Sequence, residues 1–219
     1  MSLEGSTAEQ AFADALARLL ASDEDLASVV AEHGSPVLWS RPPGFASLVL
    51  FVLEQQVSLA SAGATYRTLL ARMGAMSPTA VLAHPGMRAD GVSRQKERYL
   101  RALASAVTDG TLDLPSLTDA DDDEVRRRLM ALPGIGRWTA DVYLIACLGR
   151  PDLWPVGDRA LQVATAETLG LAEVPDPRVL TEIGERWRPD RSTAARILWH
   201  GYLRRRGRVE APLPEGDAR

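Results

Sequence analysis

The sequence predicts an all-α protein of about ten helices, and three observations carry that prediction. Apolar residues recur at three- and four-residue spacing along almost the whole chain. Period-two alternation, the mark of a half-buried strand, is hard to find. The breaks between periodic stretches hold helix-stopping glycines and helix-starting Ser-Pro or Asp residues.

Taken in order, Phe12, Leu16, Leu19 and Leu20 mark a first helix, and Leu26, Val29 and Val30 a second, stopped by Gly34. The proline-rich SPVLWSRPPG then leads to FASLVLFVLEQQVSLASAGATYRTLLARMG, which reads as two helices broken near the paired glutamines. Ser77-Pro78 is an N-cap followed by proline at the first helical position. SRQKERYLRALASAVTDG is amphipathic, with Tyr99, Leu100, Leu103 and Val107 facing inward and Gly110 ending it. Thr118 to Ala131 reads as a helix with acid in its first turn and Arg126 to Arg128 in its last, the polarity that suits the helix dipole. A helix of about ten residues runs through Leu148. After the loop GRPDLWPVGD, further helices cover Arg159 to Leu169, Val179 to Trp187 and Ser192 to Arg206, and EAPLPEGDAR reads as disordered.

The 219 residues, 46% hydrophobic and 25% charged, suffice for one substantial domain or two small lobes around a real core. No run approaches the roughly 20 apolar residues of a membrane span. The start, MSLEGSTAEQ, lacks a secretory pattern, so a cytoplasmic protein is expected. Cys147, the one cysteine, excludes an internal disulfide, a cysteine-based zinc site and a four-cysteine iron–sulfur cluster. Its apolar neighbours suit a buried small hydrophobe. His33, His84 and His200 are scattered and suggest no metal site. A net charge of −4 argues against nucleic-acid binding by bulk electrostatics, so any such partner must be held by local features.

Such a feature lies at residues 132–144, LPGIGRWTADVYL. Gly134 and Gly136 permit a tight turn, and a helix opens at once on Arg137. The first N–H groups of that helix, with the positive end of its dipole, form a seat for an anion such as a DNA phosphate. Ile135 would plug the turn onto its own lobe. The plainer alternative is a glycine cap between two packed helices.

Asp158 follows 22 residues after Gly136, in WPVGDRALQ. The pair resembles the helix–hairpin–helix (HhH-GPD) superfamily of DNA base-excision glycosylases, most of all its 3-methyladenine DNA glycosylase II branch. The resemblance spans nearly the whole chain. FASLVLFVLEQQVS is similar to the segment that enters the minor groove, GVSRQKERYLRALA to the next helix, and RWRPDRSTAARILW to the C-terminal segment. It implies two helical lobes without the N-terminal sheet domain of longer bacterial members. Residues 1–44 and 150–219 would form one lobe and 45–149 the other, with the active-site cleft between them. The implied protein is a monomeric, nucleoid-associated glycosylase that hydrolyses the N-glycosidic bond of alkylated bases in duplex DNA. It would need no cofactor. The alternatives are a glycosylase for another damaged purine and a lesion-binding hairpin protein without chemistry.

The resemblance also assigns roles. Asp158 would be the catalytic carboxylate; from the sequence alone it is a helix N-cap, and the dipole there favours negative charge in either role. Bifunctional members carry a nucleophilic lysine where Trp138 stands, and Lys96 is the only lysine in the chain, so water would be the nucleophile. Trp138 and Trp199 fall on base-pocket positions, where an indole face suits a base made cationic by alkylation. Val142 departs from the expected aromatic, and Tyr143 beside it is the candidate replacement. Gln55 and Gln56 would enter the minor groove and fill the hole left by the extruded base. Ser58, the hairpin residues Gly134, Ile135, Gly136, Arg137 and Thr139, and Arg191 and Ser192 are candidate DNA contacts. Ser192 equally suits the N-cap of the last helix, and Arg204, Arg205, Arg206 and Arg208 suit a solvated basic end. The carbonyls of Leu132, Gly134 and Arg137 are the implied seat of a structural Na+ or K+.

Overall fold

The computed structural model describes residues 3–208, and within them it is all helical, with no strand. In chain order the helices are α1 (Leu3–Ser22), α2 (Glu24–His33), α3 (Phe45–Glu54), α4 (Leu59–Met73), α5 (Pro78–Ala83) and α6 (Arg94–Thr108). They continue with α7 (Asp122–Met130), α8 (Arg137–Ala146), α9 (Arg159–Leu169), α10 (Pro177–Gly184) and α11 (Arg191–Arg205). Short 3-10 turns cover Arg88–Asp90, Pro115–Leu117 and Glu185–Trp187. Among the described residues no helix is long and apolar enough to cross a membrane. The expected disorder of EAPLPEGDAR falls on residues outside those described.

Most helices begin where the sequence supplies a side-chain acceptor. Asp23, Ser58, Ser77, Ser93, Asp121, Asp158 and Asp176 each accept the N–H three residues on, relieving one of the unpaired donors of a first turn. Asp121 explains why α7 is shorter than the expected Thr118 to Ala131: the acidic run supplies the cap as well as the first turn. α10 begins earlier than Val179 because Asp176-Pro177 forms cap and first residue, and it gives way to a 3-10 turn after Gly184. A Cβ on Gly184 would lie 2.4 Å from the Trp154 indole nitrogen. α11 starts at Arg191, one residue before the expected Ser192. Its cap position, Asp190, makes no side-chain cap because Arg18 holds that carboxylate through two bonds of 2.9 and 2.7 Å.

Contacts divide the described residues into two compact units, one comprising 3–40 with 149–208, the other Arg41–Leu148. In the first, α11 is the central element, packed on α1, α2 and α9. Nine of its fifteen residues are buried, including Arg196. Gly201 permits the closest approach, since a Cβ there would meet Val29 at 2.7 Å. In the second, α3 holds the centre, with nine of ten residues buried against α4, α6 and α8. Its one buried charge, Glu54, is matched by Arg41 through bonds of 3.1 and 2.7 Å, with the guanidinium also 4.6 Å from the Phe51 ring centre. That pairing removes the heavy cost of an isolated buried carboxylate.

Candidate functional site

Leu132 to Gly136 join α7 to α8 in a tight turn closed by the Ile135 N–H on the Leu132 carbonyl at 3.2 Å. Gly134 has φ +85°, and a Cβ there would sit 2.1 Å from the Tyr99 ring. Glycine is therefore required twice, for its backbone angle and for the ring lying on it. Gly136 occupies the cap position of α8 and has no side chain to cap it. The hairpin is braced from outside by Arg126 on α7, whose Nε donates to Asp141 Oδ1 on α8 at 2.7 Å. Asp141 is almost fully buried. The neighbouring Arg127 and Arg128 both bond Glu124 and pull its carboxyl down to about 2.

The paired glutamines separate in role. Gln55 Nε2 donates to the Gly134 carbonyl at 2.8 Å and to Thr139 Oγ1 at 3.1 Å, tying the α3–α4 turn to the hairpin. Gln56 is exposed and is the only non-glycine among the described residues with positive φ, at +59°. Such a conformation costs energy for a residue with a Cβ, and persists only where its surroundings hold it. Lys96 Nζ supplies part of that hold by donating to Leu53 O at 2.7 Å in the last turn of α3, and burial lowers its amine below the ordinary lysine range. Gln55, Gln56, Lys96, Tyr99 and the hairpin glycines line an open pocket of about 440 Å³.

The other expected site residues differ in exposure and in partners. Thr139 and Tyr143 are inside: Thr139 is 1% exposed and serves Gln55, and Tyr143 is fully enclosed with its hydroxyl accepting from Gly44 N at 3.1 Å. Burial raises the Tyr143 phenol. Ile135 is buried and Trp138 half-buried, while Gly136 and Arg137 are exposed. Ser58 caps α4 and is exposed. Ser192 is buried, donating to Arg150 O at 2.7 Å and accepting from Leu153 N at 3.0 Å, so it pins the loop after α8 and caps no helix. Arg191 is mostly buried and held by Asp152 and Glu185. Arg205 and Arg206 pair with Glu167 instead of standing free in solvent. Cys147 is half-buried, and its thiol is pushed up to about 12.

The carbonyls of Leu132, Gly134 and Arg137 are the expected cation seat. Here Gly134 O takes the Gln55 amide, Leu132 O takes the Ile135 N–H, and Arg137 lies in the first turn of α8. A carbonyl oxygen has two lone pairs, so each of these bonds leaves one acceptor position, and no step is derived through an ion.

In the other unit, Asp158 is half-buried at the start of α9. Its Oδ1 accepts the Leu161 N–H at 2.6 Å and the Trp199 indole N–H at 3.1 Å. Trp199, on α11, is only 9% exposed. The Trp39 ring meets it edge-on, centres 5.6 Å apart and planes at 82°. The only sequence signal of Trp39 is a lone indole in a proline-rich stretch. Two N–H donors and the helix dipole thus converge on a carboxylate, an arrangement that can hold negative charge opposite a developing cation.

A family model described as the HhH-GPD superfamily of base excision DNA repair proteins matches residues 49–189. The chain is 34% identical over 200 residues to the probable bifunctional transcriptional activator/DNA repair enzyme AlkA of Mycobacterium tuberculosis, covering 85% of this chain and 39% of that relative. It thus spans well under half of that relative's length. Its fold is similar to 3-methyladenine DNA glycosylase Mag1 of Schizosaccharomyces pombe in complex with abasic DNA, with TM-score 0.79 and 26% identity, covering 85% of this chain and 95% of that one. DNA-3-methyladenine glycosidase of Bacillus halodurans gives TM-score 0.69 and 32% identity, covering 84% and 87%.

Proposed function

Because the chain belongs to the HhH-GPD superfamily of base excision DNA repair proteins, we propose that it is a DNA glycosylase that releases alkylated bases of the 3-methyladenine type from duplex DNA. The observation that carries this reading is the Asp158 carboxylate, held at the start of α9 by Leu161 N–H and Trp199 N–H. Departure of the base leaves oxocarbenium-like positive charge on the sugar, and a fixed carboxylate stabilises it. Water attacks C1′ as the C1′–N bond breaks; the bonding pair leaves with the base, and the water's proton passes to the carboxylate or to solvent. An alkylated, cationic base is already a good leaving group, so no strong general acid is needed. The indole of Trp138 suits its positive charge.

The DNA is held locally, which reconciles the reading with a net charge of −4. The start of α8 takes a phosphate on backbone N–H groups. Gln56, exposed at φ +59°, is the wedge, while Gln55 locks the wedge turn to the hairpin. The product is an abasic site with an intact strand, since Lys96 is committed to Leu53 O and Trp138 stands after the hairpin where lyases carry lysine.

The test is base release from duplex DNA methylated by an alkylating agent, with undamaged, oxidised and deaminated duplexes alongside and strand breaks scored without alkali. Release of methylated adenine without nicking is expected. Tight binding to the methylated duplex with no release would make the protein a lesion binder, and nicking without alkali would overturn the water nucleophile.

A further inference from the structure

Trp199 has one N–H, and that N–H is spent on Asp158 Oδ1 at 3.1 Å. The indole must therefore keep one orientation, although the terminal torsion of a tryptophan is broad and admits others. What fixes it is visible on α11. Arg196, Trp199 and His200 lie three and four residues apart and so share one face of that helix. Along this face runs the extended stretch that follows α2. Arg196, almost fully buried, donates to Val37 O through Nε at 3.1 Å and through a terminal nitrogen at 3.0 Å. His200 Nε2 meets His33 O at 3.2 Å. The stretch is thereby fixed on both sides of Pro36, and Trp39, two residues beyond Val37, sets its ring edge-to-face against Trp199.

We infer that Trp39 is a positioning residue for the Asp158 carboxylate. It acts through Trp199: its ring blocks the alternative settings of that indole and keeps the N–H on Oδ1. The inference rests on the reading of Asp158 as the catalytic group, but its first readout does not depend on activity. The proline-rich stretch ahead of α3 is then part of the site's support and not merely a connection between helices.

The indole N–H resonances of the full-length protein give the test. Trp39→Leu is expected to move the Trp199 indole proton upfield, as Asp158→Asn does by removing the charge on the acceptor. Trp39→Phe, which keeps a ring edge, is expected to hold it near the wild-type position. Trp154 and Trp187, whose indoles donate to Leu180 O and Asp23 Oδ2 in the same unit, report whether that unit is intact and are expected to stay put. In base release from methylated DNA, Trp39→Leu is expected to lose about tenfold in kcat/KM. Trp199→Phe is expected to lose as much, and the double variant no more than either. An unmoved Trp199 resonance in Trp39→Leu overturns the inference, as does movement of all three signals together or additive losses in the double variant. If the wild type releases no base, the glycosylase reading fails while the resonance test still decides the role of Trp39.

Discussion

α8 and α9 begin in opposite ways. α9 opens on Asp158, whose carboxylate accepts the third N–H of the helix and adds a full negative charge to the positive end of the dipole. α8 opens on Gly136, in an extended conformation that suits any capping residue, yet no side chain is there to cap it. Seven of the described helices follow the α9 pattern, with an Asp or Ser acceptor, so the bare start of α8 is not the habit of this chain. The difference separates two tasks. On the proposed reading, a helix start that receives a phosphate is left open, and one that faces a cationic transition state carries its own anion.

The largest expected effect comes from removing that anion. Asp158→Asn keeps an N-cap acceptor, so the melting temperature is expected to stay nearly level, while single-turnover base release falls by about 100- to 1,000-fold. Asp158→Ala loses the cap as well and is expected to cost about 1 kcal/mol in a denaturant titration. At the hairpin, Gly134→Ala must place a Cβ at φ +85° and against the Tyr99 ring; a loss of about 2 kcal/mol or more in urea unfolding is expected.

Gly136→Asp inverts the comparison. A Cβ there meets nothing within 4 Å, and aspartate is a good cap, so unfolding is expected to be unchanged or slightly harder. If the start of α8 is the phosphate seat, the new carboxylate occupies it, and binding to abasic-analogue duplex is expected to weaken about tenfold. Asp141→Asn strips the charge from the Arg126 brace and is expected to cost about 1–2 kcal/mol in the same unfolding assay.

The smallest effect is a pH dependence. Arg127 and Arg128 hold the Glu124 carboxyl at about 2, below its ordinary 4.5. Its contribution is complete above pH 4.5 and is lost as pH falls towards 2. Because these side chains meet solvent, the contribution is small. Glu124→Gln is expected to lower the urea midpoint slightly at neutral pH and not at all near pH 2.

Helices, caps and the hairpin were legible in the sequence because they are local: a Ser-Pro start, a stopping glycine, a repeat of three and four. The same holds for Asp158, which precedes its own helix, and for the glycine turn. What stayed hidden joins residues far apart in the chain. Gln55 and Gly134 are 79 residues apart, and no local pattern says that one glutamine of the pair is tied down and the other left exposed. Arg18 and Asp190, 172 apart, pair so that the carboxylate at the cap position of the last helix is taken up, which no local pattern shows. Thr139, Tyr143 and Ser192 are buried polar residues whose hydroxyls satisfy backbone or side-chain groups, which residue type alone does not reveal.

The central claim is that the two helix starts divide binding from chemistry. The most direct test is the single-turnover rate of methyladenine release measured against protein concentration for the wild type, Asp158→Asn and Gly136→Asp. The account predicts that Asp158→Asn lowers the plateau at an unchanged half-saturating concentration, whereas Gly136→Asp raises the half-saturating concentration. A plateau that survives Asp158→Asn, or two variants that fail in the same parameter, would contradict it.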